Sequence, residues 1–185
     1  MAGKGGKMKK GKGRAKGALL EAVKFVLVFG AVFLALSYAG SAIGLDRQMA
    51  LLSANASAFA LNALGQNAEL FYAGNWPIII LSSFSAEINY LCTGLLELTV
   101  LVSAMIASFG ISRRKRAIGI IAGIAIGITF NAMRIVLTVL ALLYAEAKTA
   151  ELAHDLLFRL SIIFVIAGIY WVWFSWATKS EKKNK

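Results

Sequence analysis

The chain is poor in the residues that build crosslinks and metal cages. Its 185 residues include one proline, one cysteine and one histidine. A lone cysteine, Cys92, closes no disulfide within the chain. With a single histidine beside it there is no cluster at metal-ligand spacing, so no metal and no cofactor is expected. Acids are scarce too, nine against 20 lysines and arginines, for a formal charge of +11. That balance raises the question of nucleic acid, but the basic residues stand in blocks separated by long uncharged runs. Seven lie within Lys4 to Lys16, four form the run Arg113 to Arg116, and four are Lys179, Lys182, Lys183 and Lys185. Such blocks mark cytoplasmic tails and loops, not a nucleic-acid groove.

What is plentiful is apolar surface, with 59% hydrophobic residues and a mean hydropathy of +0.72. The expected class is an all-α integral membrane protein of one domain. Residues 1–17, mostly lysine and glycine, read as a disordered basic cytoplasmic tail, 18–178 as the membrane domain and 179–185 as a second basic cytoplasmic tail. About four transmembrane helices are expected, near 22–45, 90–112, 117–145 and 155–178, each close to the roughly 20 residues a bilayer core requires. The first reads as a retained anchor, because its uncharged run exceeds the ~7–15-residue core of a secretory signal. Glycines 119, 123 and 127 repeat every four residues, a helix-packing stripe. Tyr170, Trp171, Trp173 and Trp176 read as an interfacial belt.

The segment DRQMALLSANASAFALNALG, from Asp46, sets Met49, Leu52, Ala56, Phe59 and Ala63 on one helical face. It predicts an extracytoplasmic amphipathic helix lying along the membrane. After Pro77, Ile80, Phe84, Ala86, Ile88 and Tyr90 alternate with Ser83, Ser85, Glu87 and Asn89, which predicts a short β segment before the second span. With both termini and the RRKR loop inside, the loops 46–89 and 146–153 face out, with Arg47 and Lys148 as their only basic residues.

This topology brings three reactive residue types to one face. Cys92 stands at the outer start of the second span. Arg134 lies 17 residues beyond Ala117, about 25 Å at ~1.5 Å per residue, in the outer half of a core about 30 Å thick. His154 stands at the outer start of the last span. Each has a bland reading, since a buried cysteine is commonly apolar filler and a histidine at a helix start is commonly interfacial. Arg134 is harder to set aside, because an intramembrane arginine is retained where it faces a partner or a wet cavity. Asn131 shares its face one turn earlier. Together they suit thiol chemistry: a cation favours the thiolate, Arg134 steadies a developing oxyanion but cannot act as a base, and His154 moves protons. Asp155 either orients that imidazole or starts its helix. Glu97 points off the Cys92 face toward a packing or polar-cavity role. The rival reading is a non-catalytic multi-pass transport or assembly subunit, with Arg134 paired to Glu97 across helices and Cys92 inert.

The motifs CTGL at 92–95, NAMR at 131–134 and HDLLFR at 154–159 resemble, in order and in topology, the exosortase/archaeosortase family of multi-pass membrane enzymes. The matched motifs cover roughly the C-terminal half of the chain. The resemblance implies cysteine transpeptidation of exported proteins that end in a short motif, a hydrophobic span and a basic end. Cleavage would occur on the outer face of the cell membrane, with transfer to a lipid or envelope acceptor. By position it implies Cys92 as nucleophile, Arg134 as transition-state stabiliser and His154 as acid/base. Some members carry arginine where His154 stands, so Arg159 is a second candidate for that role. Many relatives have more than four spans, which leaves the subfamily and the tail motif open.

Overall fold

The computed structural model describes residues 5–144 and 159–179; His154 and Asp155 lie outside the described residues. The described chain is mostly helical. In order it has α1 (Gly5–Ala42), α2 (Leu45–Ala63), three strands, a 3-10 turn (Tyr90–Cys92), α3 (Leu95–Ala107), α4 (Arg113–Tyr144) and α5 (Arg159–Lys179).

Among the described residues two helices are long and apolar enough to cross a bilayer: Gly17–Ala42 within α1, and α4. Their outward faces are those of lipid-exposed helices, with Leu27, Leu34, Ile121 and Leu137 uncovered. The expected second span is shorter than its apolar run. Gly94 takes a left-handed φ of 67° and Gly110 one of 74°, and these breaks confine the helix to the 13 residues Leu95–Ala107. The basic stretch expected to be a disordered tail is instead helical from Gly5. Once the apolar segment has nucleated the helix, each preceding residue adds a hydrogen bond, and the Lys, Met, Ala and Arg residues favour the extension while each glycine opposes it by about 1 kcal/mol.

Helix α2 departs from its amphipathic reading in an instructive way. Phe59 and Leu52, on the apolar face, are exposed, whereas Ala50, Ser53, Ala54, Ser57, Ala58 and Leu61 are buried. The small-residue face is the one that meets α4, close enough for the Ser57 hydroxyl to reach the Ala132 carbonyl at 3.5 Å. Asn62 then ties the end of α2 to the sheet, since its amide donates to the Ala68 carbonyl at 2.9 Å and its Oδ1 accepts the Ala68 N–H at 2.6 Å.

The sheet has the order β1 (Glu69–Ala73), β2 (Trp76–Ile80), β3 (Ser85–Glu87), all antiparallel. Ala73 pairs with Trp76 across a two-residue loop whose first member, Gly74, has φ 76°, the position a II′ hairpin turn gives to glycine. Pro77 sits in the middle strand but beyond the end of β3. There its carbonyl accepts the Ile88 N–H at 2.9 Å and its missing N–H faces no partner strand.

Among the described residues two separate apolar cores result. One gathers Leu61, Ile79, Ile88, Ile135 and Val139 from α2, the sheet and α4, with Cys92 packed at its margin. The other joins Leu101 and Met105 of α3 to Trp173 and Ala177 of α5. The glycine stripe of α4 serves this second region: a methyl group on Gly119 would run into the Trp173 indole, and one on Gly123 would lie 3.0 Å from Leu101 Cδ2. Trp173 is therefore no interfacial anchor. It is buried and donates its indole N–H to the Lys115 carbonyl at 3.1 Å. Lys115 Nζ caps the Ala177 carbonyl at 3.0 Å, and Arg116 donates to the Ser108 carbonyl at 2.7 Å, each cation neutralising carbonyls at a helix end.

Candidate active site

The turn that carries Cys92 is built by local capping. Asn89 leads it: its Oδ1 accepts the Leu91 N–H at 3.0 Å and its carbonyl accepts the Cys92 N–H at 2.9 Å. Thr93, buried, donates its hydroxyl to the Tyr90 carbonyl at 2.8 Å and accepts the Leu95 N–H at 3.2 Å. Cys92 is thus the last residue of a braced turn and precedes α3 rather than lying inside it. Glycine at 94 supplies the left-handed N-cap of α3 and offers no side chain to the helix's first N–H groups.

Two side chains of α4 converge on this turn. Asn131 Nδ2 donates to the Cys92 carbonyl at 2.9 Å and to Ser53 Oγ of α2 at 3.3 Å. One guanidinium N–H of Arg134 reaches the same carbonyl at 3.4 Å. The i, i+3 spacing on α4 delivers amide and guanidinium side by side, and Ser53 completes a link between α2, α4 and the cysteine turn. Among the described residues, Asn131 Oδ1 is buried without a hydrogen-bond partner. It lies 3.1 Å from where a Cβ on Gly94 would stand. Among the described residues, Arg134 bonds to Cys92 and not to Glu97, so the cross-helix pair on which the non-catalytic reading depended is not seen.

Gly94 is therefore constrained twice. Alanine there would need a left-handed φ, at a cost of about 1 kcal/mol or more, and would press on Asn131 Cγ at 3.0 Å. Gly94→Ala is expected to lower activity at least tenfold while the protein still inserts in the membrane. Activity equal to the parent chain in a membrane assay would show that the turn tolerates a side chain there.

Electrostatics around the sulfur are mixed. Burial pushes the Cys92 thiol above its ordinary value; the Arg134 charge and a backbone hydrogen bond at Asn89 pull it back, and the Glu87 carboxylate of β3 raises it. Because the thiolate is the reactive form, the maleimide labelling rate of Cys92 is expected to keep rising beyond pH ~8.5, the ordinary thiol value. Glu87→Gln should shift that profile to lower pH and Arg134→Ala to higher pH. Profiles that coincide for all three chains would remove both charges from the account. Glu87 is thus the acid the sulfur feels, whereas Glu97 lines an adjoining crevice. Arg159 opens α5. Among the described residues no group of three or more His, Cys, Asp and Glu is placed to hold a metal ion.

A family model described as transmembrane exosortase matches residues 15–171, from the first helix to late in the last. The chain belongs to the exosortase family. No curated protein and no solved structure matches it. Membership makes it a membrane protein of a protein-sorting family, generally transpeptidases of the cysteine type acting on exported proteins with C-terminal sorting signals.

Proposed function

We propose that the chain is a cysteine transpeptidase in which Cys92 is the nucleophile, Arg134 stabilises the transition state and Asn131 positions the turn. His154 would serve as acid/base, with Asp155 either orienting it or starting its helix and Arg159 as the alternative third group. The observation supporting this reading is the convergence of Asn131 and Arg134 on the single carbonyl of the only cysteine. Basic blocks at both ends and between α3 and α4 favour cytoplasmic termini and a site open to the outside, within four spans in all.

In the first step the Cys92 thiolate attacks the scissile carbonyl of the tail. The Sγ–C bond forms, negative charge develops on the carbonyl oxygen, and the guanidinium of Arg134 lies within a few ångströms of that sulfur's own backbone to receive it. A guanidinium has five N–H donors, and the Cys92 carbonyl uses one. As the tetrahedral species collapses, the C–N bond breaks and the leaving amine takes a proton from the acid. An amine on a lipid or envelope precursor then attacks the thioester: a new N–C bond forms, the C–S bond breaks, and the base removes the amine's proton as Sγ departs as thiolate.

The test is co-reconstitution with an exported protein ending in a short motif, a hydrophobic span and a basic end. Intact-mass measurement should find a thioester on Cys92 when acceptor amine is withheld, and a shortened, acceptor-linked product when it is supplied. Cleavage with no adduct on Cys92 at any time point would overturn the mechanism.

A further inference from the structure

We propose that a crevice between α1, α2, α3 and α4 binds a membrane lipid bearing a primary ammonium headgroup, with the head on the carboxylates of Asp46 and Glu97 and the chains on the apolar floor. The purpose of such a lipid, as the acceptor of the transpeptidation, rests on the reading above; its binding does not.

The crevice holds about 630 Å³, within the ~300–1,000 Å³ of sites for small organic ligands. Its lining changes along its length. Ser41 stands at the end of α1, Asp46 at the start of α2 and Glu97 at the start of α3, and Tyr90 and Leu91 of the cysteine turn line the crevice too. Leu36 and Val102 each lie five residues further along α1 and α3, about 7.5 Å deeper at ~1.5 Å per residue, where Ile124 and Ile128 of α4 join them. The Ser41 hydroxyl donates to Asp46 Oδ2 at 3.3 Å, holding that carboxylate beside the cavity.

Two carboxylates at one end and branched hydrocarbon at the other are complementary to an amphiphile with a cationic head. A tail peptide's hydrophobic span would fill the floor equally well but brings no positive charge to the acidic end, so the charge favours the lipid. A primary ammonium also donates hydrogen bonds to carboxylates, which a quaternary one cannot. The crevice reaches the residue before Cys92, so the head would sit beside the turn from which a thioester is resolved.

The experiment places the full chain in nanodiscs containing equal amounts of ethanolamine-headed and choline-headed phospholipid with identical acyl chains. Both are net neutral, so the basic tails favour neither, and native mass spectrometry counts the lipids retained. The ethanolamine lipid is expected to be retained about tenfold over the choline lipid, the size of one charge-assisted hydrogen bond. Asp46→Asn combined with Glu97→Gln should abolish the preference, and Val102→Trp should reduce retention of both lipids by filling the floor. Equal retention by the parent chain, a preference surviving the double substitution, or retention indifferent to Val102→Trp would each overturn the site. Cys92→Ala should bind the lipid like the parent chain. If lipid selection persists while tail processing proves independent of Cys92, the transpeptidase reading fails and the site stands. If processing needs Cys92 but no lipid is selected, the site alone fails.

Discussion

Replacing Cys92 with alanine is expected to abolish tail processing, with a loss of at least 10³-fold, while membrane insertion and the fold are retained. The expectation follows from position. Cys92 is half-buried at the margin of a core formed by other residues, so losing one sulfur atom leaves a small gap and little loss of stability. The chain has no second thiol to take over. Cys92→Ser separates nucleophilicity from volume: it keeps the size and a donor but offers an alcohol that the Arg134 charge cannot ionise, and should be nearly as inactive. The measurement is single-turnover cleavage in proteoliposomes, with circular dichroism as the check on folding. Processing by Cys92→Ala at a rate within tenfold of the parent chain would remove the nucleophile from the mechanism.

The second large effect is expected at Arg134. Arg134→Ala should cost on the order of 10²–10³ in the acylation rate, the range seen when one preorganised oxyanion donor is removed. It should also slow thiol labelling, because the guanidinium lowers the thiol's pKa. Arg134→Lys retains the charge but presents a point donor in place of a planar fork. It should therefore recover much of the labelling rate and little of the acylation rate, a split that a purely structural role for Arg134 would not produce. Equal recovery of both would assign Arg134 to charge alone.

Much of this arrangement was legible in the sequence because intramembrane polar groups are rare and therefore conspicuous. Arg134 and Asn131 stand three residues apart in an otherwise apolar run, and helical spacing alone puts them on one side of α4. That both would fix on the carbonyl of Cys92, rather than on its sulfur, was not legible, since it depends on how the turn from Tyr90 to Cys92 is closed. Ser53 was missed because a serine on an amphipathic helix normally faces water. Here α2 turns its small side chains inward, where glycine-like closeness to α4 outweighs the gain from burying Phe59. Strand β1 went unread because ELFYA is too short for its periodicity to register, and its partner is set by the tight turn at Gly74. The extent of α3 was overestimated for the opposite reason: apolar composition continues from Tyr90 to Ile111, but two glycines in left-handed conformations end the helix before the hydrophobicity does. Trp173 looked like its aromatic neighbours because sequence does not reveal that Gly119 opens a slot opposite it.

The separation of the two apolar cores has a mechanical consequence. Helix α4 is the rod common to both, gripped near Val139 by α2 and the sheet and near Gly119 by the Trp173 indole. Stability in such a body is local, and each grip opens at its own free energy. Loosening the Trp173 clasp would release α5 from α4 at the RRKR end, whereas the hydrogen bonds of Asn131 and Arg134 to the cysteine turn are made by α4 residues outside that clasp.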